Sequence, residues 1–354
     1  MPNINSGLQS AKNDPKDEFY TRYEDIAREL VHYKEQLKGK HVICPCDWDE
    51  SLDEVVVYAS EEECQKENLM QENCTVKVID TDKTDRHIEK DIGLIKCNFI
   101  KFLIAHAEAY GIASISVSGY NPAKNLGVRF QELDYSKYDV VITNPPFSQF
   151  REFIDVMFEN DLEFLVIGNQ NAITYKEVFK HMKADEMWLG YGFPRNCAHF
   201  INPFYEDTAS DLDHREGMIR VPGVMWFTNM DVSTRHDRMI LTEEYSPERY
   251  QSYINFDGIE VGKTRDIPYD YPGFMGVPIT FLSKYNPEQF EVIGSSAELA
   301  EPIADYFSKG EYQAGGPAFY TPTPTEKDQK RGFRCHREYD RIVIRNRNPR
   351  PADE

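Results

Sequence analysis

The residues best suited to do chemistry are Asn144-Pro145-Pro146-Phe147, which follow directly on the run Val140-Val141-Ile142-Thr143. Three β-branched residues in succession predict a strand covered on both faces. Two prolines have no backbone N–H and a fixed φ, so neither strand nor helix can continue and the loop is extended and stiff. An amide side chain, carbonyls freed from any ladder and an aromatic ring are thereby presented at the carboxyl end of a strand, where open α/β sheets bind ligands. That array suits an amino group on a planar ring. The Asn144 oxygen and a loop carbonyl accept its two N–H bonds, and Phe147 stacks on the ring. Holding those hydrogens leaves the nitrogen lone pair less delocalised and better able to attack an electrophile. A Pro-Pro pair that merely ends a strand explains the same four residues, so the surrounding chain has to decide.

Around this loop the chain has an α/β rhythm. Tyr23, Ile26, Ala27, Leu30, Val31 and Leu37 recur at helical spacing up to Gly39. Thr21 and Glu24 fit a capping box at the start of that helix; equally, its free N–H groups would receive a ligand carboxylate. His41 to Cys46 predicts the first strand, running into Pro45-Cys46-Asp47 without the glycines that usually let a backbone approach a nucleotide-type cofactor. From Phe99 a helix runs to Gly111, followed by a strand at Ile112 to Val117 and a weak one at Val128 to Leu133, just before Asp134. The central strand is Tyr138 to Thr143. Beyond the loop come a helix (Phe150 to Phe158), a strand (Phe164 to Gly168), a helix (Thr174 to Met182) and a strand (Met187 to Tyr191). This alternation predicts an α/β fold with a doubly wound parallel sheet.

Three stretches stand apart. Residues 1–16 read as a flexible polar arm. Residues 52–97 are of mixed charge with one convincing strand, Thr75 to Ile79, and form either an inserted subdomain or an excursion of the sheet. Beyond about 195, Pro203, Pro222, Pro268, Pro272, Pro278 and Pro287 break up short apolar runs such as Val224-Met225-Trp226-Phe227. That portion reads as irregular α+β with long loops, a composition suited to recognition.

Composition bounds the partners. With 354 residues, 40% of them apolar, the chain can bury a sizeable core as two domains or one large one. Acids number 60 against 40 bases, a formal charge of −20, which excludes a uniformly basic coat for nucleic acid; any polyanion must meet a local patch. The one clear basic stretch, Thr323 to Arg350, holds nine bases and four acids, +5, and is either a solvated end or a phosphate contact. Seven cysteines, odd in number and scattered, fit a reducing cytoplasm and no disulfide framework. As strand residues Cys44 and Cys46 point to opposite faces and share no metal. No charged-then-apolar leader and no run of about 18 apolar residues is present, so neither a signal peptide nor a membrane span is expected.

Taken in order, the chain resembles the EcoRI-type adenine-specific DNA methyltransferase family, whose donor is S-adenosylmethionine. Asn144-Pro145-Pro146-Phe147 matches the D/N-P-P-Y/F amine-binding loop of that superfamily. The wider likeness runs through Asp17-Glu18-Phe19-Tyr20-Thr21, Ile173-Thr174-Tyr175-Lys176-Glu177-Val178-Phe179, Trp188-Leu189-Gly190, Thr228-Asn229 and Arg235-His236. It continues through Lys263-Thr264-Arg265-Asp266-Ile267-Pro268, Gly276-Val277-Pro278-Ile279-Thr280-Phe281-Leu282 and Asn286-Pro287-Glu288-Gln289-Phe290, over most of 17–345. The resemblance implies a Rossmann-like catalytic domain at 17–195, with 52–97 as an insertion, and a target-recognition region at 196–354, in the γ motif order.

It also implies roles. Tyr20 and Thr21 match the cofactor-carboxylate motif, with Arg22 where many relatives have proline. Pro45, Cys46 and Asp47 stand in place of the glycine motif, against the methionine part of the cofactor, and Asp134 matches the acid that bonds its adenine. Asn144, Pro145, Pro146 and Phe147 form the catalytic loop. Arg235, His236, Lys263 and Arg265 contact DNA, unless they are ordinary surface charges. The implied reaction is in-line methyl transfer to N6 of an adenine flipped out of duplex DNA, either in a restriction-modification system with a cognate restriction endonuclease as partner or in an orphan modification system without one. The same loop would serve an RNA adenine or protein glutamine methyltransferase, and a non-catalytic DNA-binding relative is a third reading. Pro45-Cys46 also matches the nucleophile pair of cytosine-C5 methylation, for which a buried structural cysteine is the simpler account.

Overall fold

A computed structural model describes residues 20–47, 55–60, 62, 97–121, 126–194, 197–201 and 218–350. The expected arm at 1–16 and the expected strand at Thr75 to Ile79 lie outside them. The chain forms two compact units: one of the described residues up to Ala172 with Leu189–Asp231, the other of Ile173–Trp188 with the residues from Val232 on. The fold is mixed α/β with several sheets.

The first unit opens with β1 (Tyr20–Thr21) and helix α1 (Tyr23–Leu30), then β2 (His41–Cys44) and β3 (Val55–Ala59). Helix α2 (Asn98–Tyr110) leads to β4 (Ser114–Val117), β5 (Val140–Thr143), helix α3 (Phe150–Glu159) and β6 (Glu163–Asn169). Four further strands follow: β7 (Trp188–Leu189), β8 (Cys197–Ile201), β9 (Met218–Pro222) and β10 (Val224–Thr228). Seven of these make one sheet in the order β3-β4-β2-β5-β6-β10-β7. Its middle, β4-β2-β5-β6, is parallel throughout, whereas β3 and β10 run antiparallel to their neighbours. All four residues of β5 are buried, as the β-branched run predicts. A second, antiparallel sheet has the order β1-β8-β9.

The helices explain themselves locally. α2 ends where Gly111 adopts φ +64°, a left-handed conformation that glycine enters without strain. Its apolar face buries Phe99, Ile100, Phe102, Leu103, Ile104 and Ala107, and the Phe99 ring meets Trp226 edge-on at 6.0 Å. Phe150 of α3 packs on Phe227 at 5.0 Å, and the missing side chain of Gly168 makes that approach feasible: a Cβ there would fall 2.5 Å from the Phe150 ring.

Several expectations need correction. Thr21 is a strand residue paired with Phe200, and α1 begins after Arg22 with no side-chain cap, so the capping box does not form. The strand expected at Val128 to Leu133 is instead a 3-10 turn, Phe130–Glu132, folded back by the Tyr135 hydroxyl donating to the Phe130 carbonyl at 2.9 Å. Val55–Ala59, inside the stretch taken as an insertion, joins the main sheet as an edge strand, as an excursion of the sheet would. Val224–Thr228, expected in the irregular portion, is a fully buried strand of the same sheet.

The second unit carries a four-stranded sheet of β11 (Ile259–Glu260), β12 (Met275–Pro278), β13 (Phe290–Ser295) and β14 (Arg341–Asn346), in the order β11-β12-β14-β13. Tyr253, Phe319 and Val343 form a core cluster, with Phe256 and Phe274 packed against it. Part of the basic stretch is spent inside this unit. Arg341 is buried between Glu260 (2.7 Å) and Glu338 (3.0 Å), Arg345 pairs with Glu291, and Arg334 pairs with Glu311.

Candidate active site

β2 and β5 are parallel neighbours through Val42↔Val140 and Ile43↔Val141, so their carboxyl ends lie side by side. The chain leaves β2 as Pro45-Cys46-Asp47 and β5 as Asn144-Pro145-Pro146-Phe147, and the two loops emerge together at the carboxyl ends of these central strands. The half-buried Asp47 carboxylate takes a donor on each oxygen: the Thr143 hydroxyl on Oδ2 at 2.6 Å and the Cys97 thiol on Oδ1 at 3.2 Å. Its backbone N–H donates to the Ser118 carbonyl at 3.1 Å, fixing the loop to the end of β4. Burial pushes the Asp47 carboxyl up to about 6, against the lowering pull of its two donors.

A second set of bonds runs alongside. Asn98 Nδ2 donates to the Thr21 carbonyl at 2.8 Å, and Asn144 Nδ2 donates to Thr21 Oγ1 at 3.4 Å. Cys97–Asn98 and Thr143–Asn144 are adjacent pairs, so two parallel links join the start of α2 to the end of β5, one through Asp47 and one through Thr21. β8 seats β1 here: Thr21 is in register with Phe200, whose ring meets Phe147 edge-on at 6.5 Å. Tyr20, half-buried, is in register with Ile201.

Within the loop the carbonyls divide. Pro146 O accepts the Gln149 N–H at 2.9 Å, which starts the turn into α3. Pro145 is buried, and among the described residues no donor reaches its carbonyl. An acceptor is thus left beside the Asn144 amide, with the half-buried Phe147 ring following. The thiols of Cys44, Cys46 and Cys97 are pushed well above their usual range, by burial first and then by the Asp47 charge. A neutral Cys46 thiol is a poor nucleophile, which removes the basis for reading it as one.

Asp134 is bonded locally. It is exposed, and its carboxylate accepts the Ser136 N–H at 3.0 Å, which opens the 3-10 turn Tyr135–Lys137 and holds it below the usual carboxylate range. Among the described residues no hydrogen bond joins it to Thr21 or Asp47.

The four cations expected at DNA lie in the second unit and differ in kind. Arg235 is buried, paired with Asp185, its guanidinium 3.8 Å from the centre of the Trp188 ring. Its charge is spent internally, unlike that of a phosphate-contacting residue. His236, Lys263 and Arg265 are exposed, with Asp266 3.7 Å from Arg265.

Glu29 escaped the sequence reading. It is fully buried in α1 and accepts the N–H groups of Tyr191 (2.8 Å) and Gly192 (2.9 Å) and the Tyr33 hydroxyl (3.0 Å). Burial pushes its carboxyl up to about 7 despite those three donors. A signal was present: Ile26, Glu29, Leu30 and Tyr33 share one helical stripe, so a carboxylate occupied an apolar face. Thr143, Cys97 and Asn98 gave none, because their partners lie 96, 50 and 77 positions away.

Comparison with known proteins bears on the whole chain. Residues 7–347 match the family described as adenine-specific methyltransferase EcoRI. The type II methyltransferase M.EcoRI of Escherichia coli is 37% identical over 302 residues, covering 82% of this chain and 89% of that protein. M.MpnI of Mycoplasma pneumoniae, also a type II methyltransferase, is 26% identical over 367 aligned positions, covering 95% of this chain and 97% of its own. A third, M.MgeORF184P of Mycoplasma genitalium, is 27% identical over 305 residues, covering 83% and 86%. No solved structure matches the chain.

Proposed function

The chain belongs to the EcoRI family of adenine-specific methyltransferases, and on that premise we propose that it methylates N6 of an adenine in duplex DNA, as the modification enzyme of a restriction-modification system. S-adenosylmethionine is the donor this chemistry calls for, supplying an electrophilic methyl group on a sulfonium. The residues at hand suit it. Tyr20 and Thr21, the Pro45-Cys46 turn and the half-buried Asp47 carboxylate converge beside Asn144 and would hold its amino-acid part, and Asp134 its adenine.

The chain's own groups then do the work of positioning. Asn144 Oδ1 and the Pro145 carbonyl accept the two hydrogens of the adenine amine, and Phe147 stacks on the base. Thr21 orients the Asn144 amide. Rate would come from holding the amine nitrogen in line with the methyl group that the donor supplies. A paired adenine cannot enter such a loop, so the target is flipped out, at about a few kcal/mol offset by the pocket.

The first compact unit, which runs on past residue 195 through β8, β9 and β10, would be the catalytic part, with a doubly wound Rossmann-like sheet, and the second would serve target recognition, where exposed His236, Lys263 and Arg265 would meet the DNA backbone. The reading places the enzyme in the cytoplasm, with a cognate endonuclease as partner; among the described residues no helix is long and apolar enough to cross a membrane. What supports it most is the Pro145 carbonyl and Asn144 amide side by side at the carboxyl end of β5. The test is Asn144→Ala with a tritiated methyl donor, offering duplex DNA, RNA and protein in parallel. Transfer to DNA should fall about a hundredfold or more; undiminished transfer, or a wild-type preference for RNA or protein, would sink the proposal.

A further inference from the structure

We infer that Thr143 is a positioning residue for Asn144, acting through the carboxylate of Asp47. This rests on the reading of Asn144 as the residue that receives the adenine amine. Thr143 is fully buried, and its backbone is in register with Val166 of β6. A hydroxyl in such a place is costly unless bonded, and valine would fill the same space without that cost. The hydroxyl has its partner in Asp47 Oδ2, at 2.6 Å.

Asp47 is itself held from two other directions: its N–H on the Ser118 carbonyl after β4, and its second oxygen on the Cys97 thiol at the start of α2. The Thr143 bond therefore clamps the last residue of β5 to two rigid elements at once. Asn144 Nδ2 also donates to Thr21 Oγ1 at 3.4 Å, a long bond that orients the amide only loosely. The short bond one residue upstream fixes the backbone from which the amide projects. A misplacement of about 1 Å in such a site costs on the order of a hundredfold in rate.

The experiment uses the full chain, S-adenosylmethionine and a methylatable duplex, with Thr143→Val, Thr143→Ala, Thr143→Ser and Asn144→Ala compared. The valine and alanine variants should lose about tenfold to a hundredfold in kcat, with donor Kd by calorimetry and KM for DNA close to wild type. The serine variant, which keeps the hydroxyl, should recover most of kcat. If the valine variant does not fold, the alanine and serine pair reads the same difference. Wild-type kcat without the hydroxyl, equal loss in serine and alanine, or a loss confined to donor binding would each overturn the inference. An active Asn144→Ala enzyme would overturn the underlying reading instead, and an inactive one beside unaffected Thr143 variants would remove this inference alone.

Discussion

Gly190 and Glu29 fit together with no room for a methyl group between them: a Cβ at 190 would fall 2.2 Å from Glu29 Oε1 and 2.9 Å from Trp226 Cβ. The backbone cannot withdraw, because the Gly190 N–H donates to the Trp226 carbonyl at 3.0 Å. Gly190→Ala should therefore destabilise the first unit by about 1–3 kcal/mol through overpacking. The measurement is the unfolding midpoint in heat or denaturant, and an unchanged midpoint counts against this packing.

Glu29 makes stability depend on pH in a stated direction. Its carboxyl titrates at about 7 in the folded chain instead of 4.5, because burial outweighs its hydrogen bonds. A group whose folded value is raised contributes stability that is complete below 4.5 and is lost as pH rises through about 7. The stability of the wild type relative to Glu29→Ala should thus fall by on the order of 3 kcal/mol between pH 4.5 and 8. A difference that stays flat across that window would contradict the assignment.

The cations of the second unit should separate into two behaviours. Arg235→Ala removes a guanidinium packed on Trp188 and paired with Asp185, so it should cost about 1–2 kcal/mol of stability and leave the salt dependence of DNA binding alone. Lys263→Ala and Arg265→Ala should leave stability alone and each reduce the slope of log affinity against log salt by about 0.9. The reverse pattern would exchange their roles.

Cys46 should prove chemically idle. Its half-buried thiol is held protonated, so Cys46→Ser should keep methyl transfer within about threefold. Duplexes carrying 5-fluorocytosine should trap no covalent adduct; a trapped adduct would restore the cytosine reading.

What could be read along the chain was whatever local rules decide. The β-branched run at Val140 to Ile142, the proline pair behind it and the Gly111 stop of α2 each express a preference of a few neighbouring residues, and each element forms where it is expected. Thr21 misled because a capping box is a local pattern, whereas its strand state depends on Phe200 far along the chain. Arg235 misled likewise: its burial is decided by Asp185 and Trp188, fifty and forty-seven positions back. Val55–Ala59 is hard to read from the chain because charged neighbours flank the run and its ladder partner, Ser114–Val117, lies far along the sequence. The end of β5 at the proline pair was thus legible, and the bonds that Thr143 and Asn144 make to Asp47 and Thr21 were not.

The pairing of β1 with β8 sets an order of assembly. Tyr20 and Thr21 are among the earliest described residues to leave the ribosome, yet their ladder partners Ile201 and Phe200 are made only after the whole parallel core. The ladder that seats Thr21 can therefore close only once Phe200 has been made, so synthesis halted short of that residue would leave β1 without its partner strand.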